Sequence, residues 1–147
     1  MSLAMTREER EQFLAGVHVG VISIQEDGRA PLTVPIWYLY EPGGDVVIVT
    51  GGESRKGRLL EKTGRFSLCA QTEAPPYSYV SVEGPVVSVE PTDAEKVSRP
   101  LAHRYLGPEL GDRYLEATAD QNAGSRTYCM RPTRWLTVDY SKQFGSS

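Results

Sequence analysis

Between residues 17 and 90 the chain is written mostly in short β-branched and aromatic runs cut by Gly and Pro: VHVGVISI, PLTVPIWYLY, VVIVT, FSLCAQT and YSYVSVEGPVVSVE. Such runs read as half-buried strands, and the short turns between most of them call for antiparallel pairing rather than parallel crossovers. Asp27-Gly28 favours a tight hairpin between the first two runs, and EPGGD (41–45) turns the chain into the third, so the three predict a β-meander. Pro35 lies inside the second run, removes one ladder donor, and predicts an edge, a bulge or an opening of the sheet. Gly84-Pro85 in the longest run predicts a bend or bulge of the kind that wraps a sheet into a barrel. The end, SRTYCMRPTRWLTVDY, reads as one or two closing strands around Pro132. The total expected is about six or seven strands.

Helices flank this pattern. Thr6 with Glu9 forms a capping box for a helix over Arg7 to Ala15, anchored by Phe13 and Leu14 and stopped by Gly16. Ser54 caps a second helix, with Leu59 and Leu60 on its apolar side and Thr63-Gly64 as its stop. Thr92 and Glu95 predict another capping box, opening a stretch with Val97, Leu101 and Tyr105 inward that Pro100 should kink or divide. Gly107-Pro108 separates this from a helix over Glu109 to about Asp120, with Leu110 and Tyr114 inward. The fold class is mainly β, a β-rich α+β chain with short flanking helices. Without repeats or linkers its 147 residues predict a single domain, with 1–5 a disordered or appended start and 143–147 a flexible tail.

Charge narrows the partners. Lys+Arg number 16 against 19 Asp+Glu, a net charge of -3 with a pI near 5.4, which argues against nucleic acid. No apolar run reaches the roughly 18 residues of a membrane span, and the start MSLAMTREEREQF is too charged for a signal peptide, so a soluble, cytoplasmic protein is expected. Cys69 and Cys129 stand alone, and His18 and His103 are the only histidines, so no metal site is predicted.

The concentrated chemistry lies in Thr50-Gly51-Gly52-Glu53-Ser54-Arg55-Lys56-Gly57-Arg58. Residues 54–65 hold Arg55, Lys56, Arg58, Lys62 and Arg65, five of the 16 basic residues, with only Glu61 among them. A strand, a glycine-rich turn and a capped helix start suit a phosphate, because free N–H groups and the positive end of the helix dipole face the anion. The plainer reading is a solvated basic face. Cations in a first helical turn oppose the dipole, however, so Arg55 and Lys56 call for a compensating anion. Two familiar motifs fail here. Lys56 replaces the last glycine of a G-x-S-x-G nucleophile elbow, and the lysine lacks the following Ser or Thr of a P-loop.

The order of elements, with DGRAPLTVPIWYLY, TGGESRKGRLLEKTGRFSL, YVSVEGPV and RPTRW, resembles the FMN-binding split-barrel proteins related to pyridoxamine 5'-phosphate oxidase, from about Arg7 to Tyr140. It looks most like an actinobacterial branch, many of whose members use the deazaflavin coenzyme F420 in place of FMN. The resemblance implies an antiparallel split β-barrel and a homodimer with the cofactor between subunits. It also implies hydride chemistry on a small-molecule substrate, by an F420- or FMN-dependent oxidoreductase. It places Ser54, Arg55 and Lys56 on the cofactor phosphate, with Thr50 at the end of the preceding strand and Arg58 as a second basic position. Pro35, Ile36 and Trp37 correspond to the strand whose backbone lies along the ring, Tyr79 to a polar position near it, and Arg134 to an arginine near its open face. The chain departs from that pattern at Leu59, at Thr63-Gly64 and at Arg134-Trp135-Leu136, where vitamin B6 oxidases continue Arg-Leu-His. F420 is preferred because its acidic oligoglutamate tail would meet a basic lip of Arg58 and Lys62. The alternatives are an FMN-dependent oxidase or reductase and a non-enzymatic flavin or haem carrier.

No catalytic side chain is assigned. Trp37 and Trp135 read equally as ring-stacking or core residues. His103 reads as a surface histidine. Arg126 and Arg131 read as solvated, and Arg134 carries weight only through the resemblance.

Overall fold

A computed structural model describes residues 2–144; of the tail expected over 143–147, positions 145–147 lie outside the described residues. The elements run α1 (Arg7–Ala15), β1 (Gly20–Ile24), β2 (Leu32–Ile36), β3 (Val46–Gly51), α2 (Arg55–Thr63), β4 (Arg65–Gln71), β5 (Ser78–Pro91), a π turn (Ala94–Ser98), α3 (Arg99–Leu106), α4 (Pro108–Ala117), β6 (Ser125–Met130) and β7 (Arg134–Asp139). Near the start, the Leu3 carbonyl accepts from the Asp139 N–H at 2.8 Å and the Met5 N–H donates to Thr137 at 2.9 Å.

The strands form one antiparallel system in the order β2-β1-β4-β5-β6-β3, with β7 on the other edge of β5. The β1–β2 hairpin forms with Gly28 at φ 74°, in the left-handed region that glycine enters without strain. The meander does not form. β3 pairs with β6 from Val46↔Met130 to Gly51↔Ser125, and β2's continuation touches β3 only through the Leu39↔Val47 bridge. That bridge joins the two ends of the strand order and curls the sheet into the half-barrel of a split barrel. β2 is therefore left largely unpaired on its outer edge, where Pro35 costs nothing.

Gly84-Pro85 marks the change of partner along β5. Up to Pro85 the strand pairs with β4, and from Val86 it pairs with β6, with a register shift between Val86 and Ser88. A Cβ at Gly84 would lie 1.8 Å from the Arg131 carbonyl oxygen, so the two backbones can meet only at glycine. Inside the curl pack Ile22, Ile48, Leu68, Val80, Val82 and Met130, each at most 1% exposed, together with Leu14 from α1 and Leu59 and Leu60 from α2.

Three local expectations are corrected. β1 starts at Gly20 rather than Val17, because β2 ends opposite Gly20 and leaves Val17 and Val19 more than half exposed. The cap before the π turn is Asp93, whose carboxylate accepts from the Glu95 and Lys96 N–H groups at 3.0 Å; Thr92 is instead occupied by the Thr127 hydroxyl of β6. In α4, Leu110 and Tyr114 are 53% and 40% exposed, while Gly111 is the buried contact. A Cβ there would lie 2.8 Å from the His103 ring, so close packing of α4 on α3 turns the larger side chains outward.

Candidate functional site

The β3–α2 turn is held by Ser54. Its hydroxyl donates to the Gly51 carbonyl at 2.6 Å, accepts from the Gly57 N–H at 3.1 Å and lies 3.2 Å from the Thr50 hydroxyl. A Cβ at Gly57 would sit 2.3 Å from the Gly51 oxygen, so the helix can press on the turn only because position 57 is glycine. The first N–H groups of a helix have no intrahelical acceptor, and with Gly57 satisfied those of Arg55 and Lys56 remain available.

The basic residues do not act as one group. Arg55 forms an ion pair with Glu26 of the β1–β2 turn, which lowers the Glu26 pKa and raises that of Arg55. Lys62 meets Asp27 at 3.1 Å, and Arg58 reaches Glu53 at 3.9 Å. The anion that Arg55 calls for is thus supplied by the protein itself, through a contact 29 residues apart in sequence that no local pattern reveals. Lys56 differs, since among the described residues it has no acidic partner within 4.0 Å.

Arg126 was missed by sequence reasoning. The β3–β6 register places it opposite Thr50, and its side chain lies over Gly52, where a Cβ would be 2.9 Å from its Nε. Arg126 therefore reaches the turn that opens α2, and only the strand register, which is not local information, could have placed it there. Free backbone N–H groups at a capped helix start that carries a lysine, with an arginine over the turn, form a donor set whose chemistry fits a phosphate.

The other expected positions lie elsewhere. Matched pairs give an outward row Pro35–Val21–Cys69–Ser81–Leu136 across five strands, and a parallel row Thr33–Ser23–Ser67–Glu83–Arg134. Tyr79, opposite Gln71 and Val138, shares that face and stands an even number of positions from Ser81 and Glu83 along β5. Pro35, Tyr79 and Arg134 thus occupy one sheet face, while Ile36 is opposite Gly20 in the alternate register. Trp37 turns away, stacked on Tyr105 of α3 with centroids 5.0 Å apart and rings at 7°. Arg134 lines a groove of about 940 Å³ between the β1–β2 turn and the starts of β4 and β7, whose charges, including Glu26, Arg29, Arg65 and Glu83, balance. Thr50, Ser54 and Lys56 do not line it, so this groove does not gather the whole set.

Both histidines are engaged. His18 Nε2 is 3.0 Å from the Phe13 carbonyl, and burial lowers its pKa; His103 meets Asp112 at 2.7 Å. Trp135 lies beneath the Arg10 guanidinium at 4.5 Å. The Cys69 and Cys129 thiols are free, and burial raises both pKa values.

A family model described as pyridoxamine 5'-phosphate oxidase matches residues 6–139. The chain belongs to this family. Solved structures agree with the split-barrel fold that this membership brings. A conserved hypothetical protein from Mycobacterium tuberculosis aligns at TM-score 0.78 and 18% identity, over 99% of this chain and 92% of its own. A protein described as an F420 reductase aligns at TM-score 0.69 and 18% identity, over 86% of this chain and 94% of its own. A protein from Mycobacterium smegmatis described as binding FAD and heme aligns at TM-score 0.66 and 18% identity, over 91% of this chain and 71% of its own. No curated protein sequence matches the chain. Within the pyridoxamine 5'-phosphate oxidase family, this member carries its basic helix start on α2 and opens β7 with Arg134-Trp135-Leu136. No described helix is long and apolar enough to cross a membrane.

Proposed function

We propose that this protein is a cytoplasmic homodimeric reductase that uses coenzyme F420 to reduce a small organic substrate. The observation that carries the reading is the β3–α2 turn, where Arg126 lies over Gly52 beside the Ser54-capped helix start that carries Lys56 in its first turn. Such a donor set suits the phosphate of a flavin-type cofactor. When bound, that group supplies hydride transfer, and the protein supplies anchoring, orientation and exclusion of water. Ser54 keeps the turn in shape, Thr50 backs the Ser54 hydroxyl, Lys56 and Arg126 attract the phosphate, and Arg55 is aligned by Glu26. Arg58, exposed and only loosely held by Glu53, is the available cation for an acidic tail, whereas Lys62 is committed to Asp27. The backbone of β2 through Pro35 and Ile36 would run along the ring, and Trp37 fixes that segment by stacking on Tyr105.

Dimerisation is part of the same reading. The outward row through Pro35, Val21, Cys69, Ser81 and Leu136 is incompletely covered in one chain, and Leu136 is 62% exposed. Docking a second copy on this face would place its side chains near Tyr79 and Arg134, which supports a cofactor cleft completed between subunits. The similarity to a structure described as an F420 reductase supports the choice of deazaflavin.

FMN oxidation or reduction at the same site is the second reading, favoured by the family itself. Haem carriage is disfavoured, because His18 and His103 are both held in hydrogen bonds. Titrating the purified protein separately with F420 and FMN, while measuring its mass in solution, tests the proposal. Tighter F420 binding by a dimer is expected. Tighter FMN binding would transfer the site to the second reading, and failure to bind either would end both.

A further inference from the structure

Three of the molecule's cavities are edged by charge: the groove beside the β1–β2 turn by arginines and carboxylates, a pocket beside α1 by Arg7, Arg10 and Arg131, and a shallow hollow at the α3–α4 turn by Glu109 and Arg113. A fourth, of about 210 Å³ between β3, α3 and α4, has no charged residue in its lining. Its walls include Val49, Leu101 and Leu115, and two aromatic rings complete it. Trp37 is pinned on one side by Tyr105, and Tyr114 tilts against it at 5.4 Å and 50°. The outward position of Tyr114, which runs against the expectation of an inward residue, makes it the rim of this pocket.

Two neutral polar groups reach the cavity. Ser98 closes the π turn and starts α3 without making a side-chain cap bond, so its hydroxyl is free to donate or accept. Single π turns next to α-helices recur at functional sites. Asn122 donates its amide to the Thr118 hydroxyl at 2.9 Å, which leaves the amide oxygen as an acceptor. A charged ligand here would be desolvated against aliphatic walls with no counter-ion, whereas a flat neutral ring would gain aromatic contact. The volume lies below the roughly 300 to 1,000 Å³ of drug-sized ligand sites and suits one or two rings.

We propose that the pocket walled by Trp37, Tyr114 and Leu115 binds a neutral, planar one- or two-ring molecule carrying a hydrogen-bonding substituent, which Ser98 and Asn122 orient. The site is separate from the β3–α2 turn and stands whether or not a flavin-type cofactor binds there. The probe is 2-naphthol, with 2-naphthoate as its charged counterpart of similar shape, each titrated into the isotopically labelled full chain at neutral pH and followed by NMR. The expected result is a saturable shift of the Trp37 indole N–H and of the amides of residues 98, 99, 101, 102, 114 and 115 with naphthol, and at least about tenfold weaker binding of naphthoate. Leu115→Trp, which fills the cavity from a half-buried position, should abolish the naphthol shifts. Ser98→Ala, which leaves the walls intact, should weaken them about threefold to tenfold, and decides the matter if Leu115→Trp does not fold. Equal binding of both probes, shifts centred on another cavity, no saturation, or a Ser98→Ala variant indistinguishable from the parent would overturn the proposal.

Discussion

Helices α1 and α2 open with the same grammar and opposite charge. In α1, Thr6 and Glu9 satisfy one another's backbone N–H groups, Glu8 and Glu9 lie in the first turn, and Lys142 meets Glu9 at 2.7 Å. Its far end is closed by Arg104, which donates to the Ala15 and Gly16 carbonyls. Apart from Arg7 at the first position, which pairs with Glu11 at 3.3 Å, the charges at its two ends agree with the helix dipole. In α2 the cap is equally sound, but the first turn holds no acid and carries Arg55 and Lys56. α1 is complete as built, whereas α2 has one end organised for an anion, and only Arg55 has found its carboxylate within the chain. A helix start that obeys the capping rules and violates the charge rule is where a ligand reading is justified.

The third helical position separates the two most sharply. In α1 it is Glu9, in α2 the buried Gly57. Gly57→Val should destabilise the fold by about 3 kcal/mol or more, because its side chain would overlap the Gly51 backbone, and urea unfolding would measure it. A variant as stable as the parent would show that the turn does not need this close contact.

Lys56→Ala should move binding and stability in opposite directions. Removing a cation from the first turn should leave stability unchanged or raised by about 0.3–1 kcal/mol. Cofactor affinity should fall about 10- to 100-fold, with the parent's affinity itself weakening as salt is raised. Arg126→Ala should show the same binding loss. Unaltered titration curves for both variants would leave α2 as a solvated basic face.

The caps themselves come next. Thr6→Ala and Ser54→Ala should each cost about 1 kcal/mol in thermal or urea unfolding. Only Ser54→Ala should also weaken the cofactor; equal binding effects from both would mean that the losses are general rather than local to α2.

These helix ends were legible in sequence because capping is local: Thr6 with Glu9, and Ser54 with Gly64, lie within one element. The half-barrel topology was less so. The short EPGGD link suggested that β3 would pair with β2, yet it pairs with β6, near the other end of the chain, because closing the curl buries Val46 and Ile48 against Tyr128 and Met130. The same distance hid the site's partners. Arg126 reaches Gly52 only through that register, and Glu26 reaches Arg55 only through the packing of the β1–β2 turn on α2. Asp93 displaced Thr92 as a cap for a similar reason, since Thr92 was taken by a hydroxyl 35 residues away.

The smallest effect concerns the far end of α1. His18 stacks on Phe13 at 4.5 Å and bonds its carbonyl, so it looks like one more cation suited to a helix C-terminus. Burial acts the other way and lowers its pKa below 6.5, with nearby Arg104 adding to the shift. The folded state therefore disfavours the protonated ring. The associated stability is present in full above pH 6.5 and is lost as pH falls from there through the lowered folded pKa. Carboxylates such as Glu26, held below 4.5, titrate in a separate and more acidic window. Thermal midpoints should thus decline slightly between pH 7.5 and 5.5, and His18→Gln should flatten that decline. A decline of the same slope in the variant would assign it elsewhere and make the two ends of α1 alike in preferring charge.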